Sequence, residues 1–234
     1  MFTKYRNKML SSREVKREQC GRYKGEAVGE GGCLEGVFLH ARDTWFVVAS
    51  GPSLIAEDVA SLNGQHVICI NDNYLLAPWA DVLYASDPQW WEWHAERAEL
   101  KAFKGRKITQ DKEAAERYGL EYIRSVDADG LSRDPAYVHK GSNSGIQAIN
   151  LAYHLGARRI VLLGFDMQAT GGKAHWFGDH PNGFRSNWEK WIWRYKLVAD
   201  DAQRMGIEII NASRETALRC FPRAPLSSLL PALA

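Results

Sequence analysis

Two stretches of this chain follow one grammar: an amphipathic helix pattern, a glycine, and then a short Val/Ile-rich run. In SNSGIQAINLAYHLGA, Ile146, Ile149, Leu151 and Leu155 recur at helical spacing, Gly156 closes the segment, and RRIVLLGFD follows at once. NWEKWIWRYKLVADDAQRMG has Trp188, Trp191, Ile192, Tyr195 and Val198 on overlapping helical faces, ends at Gly206 and leads into IEIINAS. Helix, glycine and buried strand in alternation predict an α/β fold with parallel strands and right-handed crossovers. Upstream, TWFVVAS, QHVICIND and ADVLYASD are runs too continuously apolar for a sheet with one wet face. The expectation is a single Rossmann-like, doubly wound, mostly parallel sheet with helices on both faces. The stretch from about residue 88 to 140 reads as helical pieces around one more strand, GRKITQ.

Composition sets the limits around this body. The 234 residues carry 30 Lys+Arg against 28 Asp+Glu, and 45% of positions are hydrophobic, which excludes a disordered chain. No apolar run reaches the ~18 residues that cross a bilayer, and the first residues lack the apolar stretch of a secretory signal, so a cytoplasmic protein without a membrane span is expected. The charge is uneven: residues 1–24 hold 8 basic and 2 acidic side chains, leaving 22 basic and 26 acidic for the rest. The predicted organisation is therefore a basic arm and glycine-rich linker over 1–36, a nucleotide-binding domain over 37–221 and an irregular tail over 222–234. Such an arm suits an acidic partner or nucleic acid, although exposed charged termini are commonly just solvated. Cys20, Cys33, Cys69 and Cys220 show no C-x-x-C pairing or zinc spacing, and Cys69 inside HVICI reads as a small core residue.

In open α/β sheets ligands sit beyond the carboxyl ends of the strands, so the residues after each apolar run are the ones to weigh. The first run ends in Ser50-Gly51-Pro52-Ser53, whose glycine permits close backbone approach and whose amides suit an anion. It lacks the P-loop lysine and the G-x-G-x-x-G fingerprint, and a tight strand-to-helix turn uses the same residues. The next two runs end at Asn71 and Asp87, side chains able to read a base or ribose, or equally to cap helices; Trp90, Trp91 and Trp93 beside them suit stacking or a core cluster. Asn143-Ser144-Gly145 opens a helix and forms a second anion-type loop, or a plain cap. Asp166 ends RRIVLLGFD, and the loop after it brings His175, Asp179 and His180 together, a set fit for general-base chemistry near neutral pH. The two histidines lack the spacing of a helical metal pair, so no metal is assigned. Asp127 and Asp129 form a D-x-D in a polar stretch and read as coincidence.

Together these blocks resemble a superfamily that includes the bacterial sialyltransferases, the flagellin-modifying motility accessory factors and the hydroxymethylpterin pyrophosphokinase-like proteins. The pattern is also similar to that of uncharacterised bacteriophage chains, which would place the protein in a host cytoplasm. Ser50-Gly51-Pro52-Ser53-Leu54 is similar to the family's Gly-Pro-Ser-Leu opening, Asn71 to an asparagine after the second strand, and Asn143-Ser144-Gly145 to the turn before a helix. Gly164-Phe165-Asp166 looks like a Gly-Ile-Asp strand end. The resemblance implies an inverting transferase that binds a cytidine nucleotide-sugar and an acceptor hydroxyl, with His180 or His175 as base and no obligatory cofactor. Two departures stand out: Ser50 replaces an asparagine, and the tyrosine pair that assists the leaving phosphate falls on or near Gln168 and Ala174, with Lys173 or Arg185 as substitutes. The alternatives are an ATP- and Mg-dependent pyrophosphokinase-like enzyme, with Asp87, Asp166 and Asp179 on the metal, or a non-catalytic nucleotide-binding scaffold tethered by its arm. Tryptophans near 188–193 suit either a core or a subunit contact in an oligomer.

Overall fold

The computed structural model divides the chain into two units, Met1–Val37 and Phe38–Ala234, and describes residues 43–178 and 186–230. The basic arm and linker lie outside the described residues, as do Asp179, His180 and Arg185.

Among the described residues a seven-stranded sheet runs in the order β5-β4-β3-β2-β1-β8-β9, every neighbouring pair parallel. The strands are β1 Thr44–Val48, β2 His66–Ile70, β3 Val82–Tyr84, β4 Arg106–Thr109, β5 Glu121–Tyr122, β8 Arg159–Leu163 and β9 Glu208–Asn211. Two short strands, β6 Arg124–Val126 and β7 Tyr137–His139, pair in parallel as a separate ribbon. The helices are α1 Ala56–Ala60, α2 Pro88–His94, α3 Ala98–Ala102, α4 Lys112–Tyr118, α5 Ser144–His154 and α6 Trp188–Met205.

All five residues of β1 are buried because successive side chains point to opposite faces and each face has its own cover. Trp45 and Val47 join Ile68, Ile160, Leu162, Ile149 and Val198 under α5 and α6. Phe46 and Val48 join Cys69, Leu83, Val161, Val59 and Trp91 under α1, α2 and α3. Each buried aliphatic side chain contributes about 1.5–3 kcal/mol relative to exposure, so the two cores dominate the stability of the sheet. The expected doubly wound α/β architecture is the one found. Local chemistry sets the helix ends: Asn143 and Asn187 accept from Gly145 N–H and Lys190 N–H at their N-termini, and Gly206 ends α6 in the left-handed conformation.

One expectation needs correction. The stretch from 88 to 140 holds β4 and three further short strands; β5 has both residues exposed, so it offers no apolar period to read. The described part of the tail is tied to the body. Asn211 bridges Arg223, Leu226–Ser228 forms a 3-10 turn, and Leu226, Leu229 and Leu230 pack on the second core. The tryptophan segment after β3 is divided, since Trp91 is fully buried and Trp90 nearly so while Trp93 is exposed. Cys69 is a core thiol as expected, its ionisation suppressed by burial; burial likewise pushes Cys220 up to about 11. Among the described residues no helix is long and apolar enough to cross a membrane.

Candidate functional site

The chain lays strands outward from β1 to β5 and then returns to place β8 against the other side of β1. That reversal opens a crevice at the carboxyl ends of β1 and β8, the position where sheets of this kind bind ligands. A cavity of about 500 Å³ lies there. Ser50, Gly51, Pro52, Asn71, Asp87, Asn143, Ser144, Gly145, Asp166 and His175 all line it, so residues spread over more than 120 positions of sequence converge on one space. Ser53 is not part of the wall. Asp179 and His180 fall outside the described residues.

The seam between β1 and β8 explains the first motif. Ala49 N–H donates to Leu163 O at 2.8 Å and Gly51 N–H to Gly164 O at 2.8 Å, so the parallel ladder continues past both strands. A Cβ on Gly51 would stand 2.2 Å from Asp166 Oδ1 and 2.5 Å from Gly164 O; the protein's own groups therefore demand this glycine. Ser53 donates to the Asp166 carboxylate twice, from its backbone N–H at 2.8 Å and its hydroxyl at 2.9 Å. Asp166 is almost completely buried. Desolvation pushes its carboxyl up to about 6, and the two Ser53 hydrogen bonds only partly oppose it. Two groups expected to meet a ligand, the Gly51 and Ser53 amides, thus have protein acceptors.

The opposite wall is a chain of paired polar groups. Ser86 and Ser144 hydroxyls meet at 2.7 Å. Tyr84 donates to Gln147 Oε1 at 3.0 Å, Gln147 Nε2 to Gln110 Oε1 at 3.0 Å, and Gln110 Nε2 to Ser86 O at 3.4 Å. Asn143 Oδ1 accepts from Gly145 N–H at 2.8 Å and from the buried Tyr195 hydroxyl at 2.7 Å, which joins α6 to the start of α5. Asp87 caps α2 through Gln89 N–H at 2.9 Å. Lys140 brings a cation to the wall, and Trp93, Trp188 and Trp191 supply an aromatic side. Sequence reasoning missed Gln110, Lys140, Gln147 and Tyr195 as site residues; only Gln110, standing at the tip of GRKIT, carried the same strand-end signal as those found.

Backbone strain concentrates here. Among the described residues three non-glycines adopt positive φ: Asn71 at 52°, Ser142 at 52° and Met167 at 50°. All three line the cavity. Strain of this kind costs on the order of 1 kcal/mol per residue and gathers at functional sites. Asn71 adds a second anomaly, because its Oδ1 is buried with no hydrogen-bond donor among the described residues. Such an acceptor costs about 1–3 kcal/mol until a donor arrives.

For metal chemistry, Asp87 serves as a cap and Asp166 is engaged by Ser53, and among the described residues no cluster of three or more His, Cys, Asp or Glu side chains could hold an ion. Asp129 of the D-x-D pairs with Arg194 at 3.0 Å, away from the cavity. Gln168 and Ala174 line the wall, whereas Lys173 stands exposed beside it.

No family model matches the chain, and no curated protein matches it. Among solved structures it is similar to the sialyltransferase CstII from Campylobacter jejuni, solved in complex with a substrate analogue, CMP-3FNeuAc. The match has 12% identity and a TM-score of 0.47, and covers 77% of this chain and 85% of that one.

Proposed function

We propose that the chain is a glycosyltransferase-like enzyme that binds a nucleotide-sugar, of the CMP type, in the cavity at the β1–β8 crevice. The observation that carries the reading is the convergence there of strand-tip polar groups with the left-handed residues, around the buried Asn71 Oδ1 that lacks a donor among the described residues. A cytosine amino group or a ribose hydroxyl supplies such a donor; a uracil in the same pose offers a carbonyl instead. The start of α5 points its positive end at the cavity beside Lys140, which suits a phosphate.

In this reading the nucleotide phosphate lies against Ser142 to Ser144, the sugar faces the loop that carries His175, and His175 or His180 is the candidate base. The imidazole takes the proton from the acceptor hydroxyl as its oxygen attacks the anomeric carbon. The bond to the phosphate oxygen breaks with inversion, and the nucleotide leaves as an anion held by Lys140 and the helix terminus. No metal is required for any of these steps. Aromatic faces of Trp93, Trp188 and Trp191 provide stacking surface for base or sugar.

Thermal unfolding against CMP, CDP, UDP, ADP, ATP and NAD, each with and without magnesium, tests the reading. A ligand at ~100 times its Kd adds about 2.7 kcal/mol to stability. Stabilisation by CMP without magnesium is the expected result. Stabilisation by ATP only with magnesium would favour a pyrophosphokinase-like enzyme, and no response to any nucleotide would leave a non-catalytic scaffold.

A further inference from the structure

Asn73, two residues beyond Asn71, is fully buried and saturated with partners drawn from three parts of the chain. Its Nδ2 lies 2.8 Å from Ile70 O, 3.1 Å from Val48 O and 3.2 Å from Ser50 Oγ, so its two hydrogens are shared among three acceptors that join the ends of β1 and β2. Its Oδ1 accepts from the indole N–H of Trp176 at 2.8 Å, across 103 residues of sequence. Trp176 is held a second time by its own backbone, whose N–H donates to Ser50 O at 3.2 Å. The loop after β8 is therefore attached by two hydrogen bonds from one residue, to the β1 turn directly through Ser50 O and to the segment after β2 through Asn73, which is itself bonded to the β1 turn.

That attachment reaches His175 through stacked rings. The Trp176 indole meets the Phe177 ring edge-on, with centroids 5.5 Å apart and planes at 85°. The Phe177 ring lies parallel to the His175 imidazole, with centroids 5.1 Å apart and planes at 5°. The turn is closed by Gly178 N–H donating to His175 O at 3.1 Å. His175 stands in the cavity wall, so the geometry at its ring depends on where Trp176 is held.

We infer that Asn73 and Trp176 are positioning residues: they clamp the loop after β8 to the β1 turn and so fix the His175 imidazole against the ligand cavity. The inference rests on the proposed transferase reading for its consequence in turnover, but the clamp itself is a property of the ligand-free protein. An amide held by four partners is fixed in place, and such rigidity is what a base within about 3 Å of the oxygen it deprotonates requires.

The test is Trp176→Phe, which keeps an aromatic ring but removes the N–H, with Trp193→Phe on the exposed side of α6 as the control. Asn73→Ala is the second clamp variant, read only where its circular dichroism remains that of the unmodified chain. The imidazole carbon-bound proton of His175, observed by NMR without ligand, sits in the ring current of Phe177 and reports the stack. Trp176→Phe is expected to displace or broaden that resonance, to lower donor turnover at least tenfold, and to leave CMP affinity within about twofold, the mark of misplacement rather than lost binding. Trp193→Phe is expected to change none of these. A His175 resonance identical to that of the unmodified protein in Trp176→Phe would overturn the clamp. If the unmodified protein binds no nucleotide, the transferase reading fails and the His175 resonance still decides the clamp.

Discussion

The two ends of the parallel strands are built to different rules. At the amino ends, charged residues face solvent in ion pairs between neighbouring strands, Arg106 with Glu121 at 2.6 Å and Arg159 with Glu208 at 2.5 Å, and Trp45 stacks on His66. Left-handed backbone there falls on glycines, Gly64, Gly119, Gly156 and Gly206, which adopt it without strain. At the carboxyl ends lie the three left-handed non-glycines of the described residues, an orphaned acceptor on Asn71, and a buried carboxyl on Asp166 raised to about 6. One edge holds the sheet together and the other spends stability on a cavity. The difference teaches that location along the strand, rather than residue type, separates the ion-paired polar groups from the strained and unpaired ones among the described residues.

The largest expected effect comes from attacking the seam on which the functional edge rests. Gly164 has φ +68°, and a Cβ there would stand 2.2 Å from Ala49 O, a backbone atom that cannot swing aside. Gly164→Ala should cost about 3 kcal/mol or more in urea denaturation and abolish nucleotide stabilisation. A cost below ~1 kcal/mol would show that the two strand ends can separate freely.

Asp166 gives the next effect, in the pH dependence of stability. Its folded value of about 6 lies above the ordinary 3.8, so its stabilising contribution is complete below 3.8 and is lost as pH rises through about 6. Asp166→Asn keeps an acceptor for Ser53 N–H and removes the charge. The difference in stability between variant and unmodified protein should therefore grow in favour of the variant from about pH 4 to pH 6 and then level off. A difference independent of pH would mean that Asp166 ionises as an ordinary carboxyl.

Asn71→Gly sharpens the contrast directly. Glycine adopts φ near 52° without strain and removes the orphaned oxygen, so the variant should be more stable by about 1 kcal/mol and bind CMP at least tenfold more weakly. A variant less stable than the parent would take strain out of the account. The smallest effect belongs to the other edge. Arg106→Ala should cost no more than about 1 kcal/mol, less in high salt, and leave nucleotide binding unchanged.

Much of this division was open to sequence reading. Continuous Val/Ile runs and the two glycine-terminated helices define parallel strands covered on both sides, and the rule that ligands gather at strand tips brings Ser50, Asn71, Asn143, Asp166 and His175 forward as one site. What stayed hidden was pairing over distance. Nothing near Gly51 indicates that its missing side chain makes room for Asp166, 115 positions later. Tyr195 and Trp191 lie on a helix whose apolar spacing looks like core, and Tyr195 is core, yet its hydroxyl orients Asn143. The left-handed backbone of Asn71, Ser142 and Met167 leaves no mark in residue type beyond the tolerance of asparagine for that conformation. Asn73 carries no mark in the sequence that sets it apart from its neighbours, and only its bond to Trp176 reveals its reach.

The most direct measurement is the response of the tryptophan indole N–H resonances to added CMP. Trp93, Trp188 and Trp191 line the cavity at the carboxyl ends, while Trp45 lies on His66 at the amino ends and Trp193 faces solvent. The account predicts that CMP shifts the Trp93, Trp188 and Trp191 resonances, without magnesium, and leaves Trp45 and Trp193 in place. Movement of Trp45 with the cavity resonances unchanged, or no movement at saturating CMP, would contradict it.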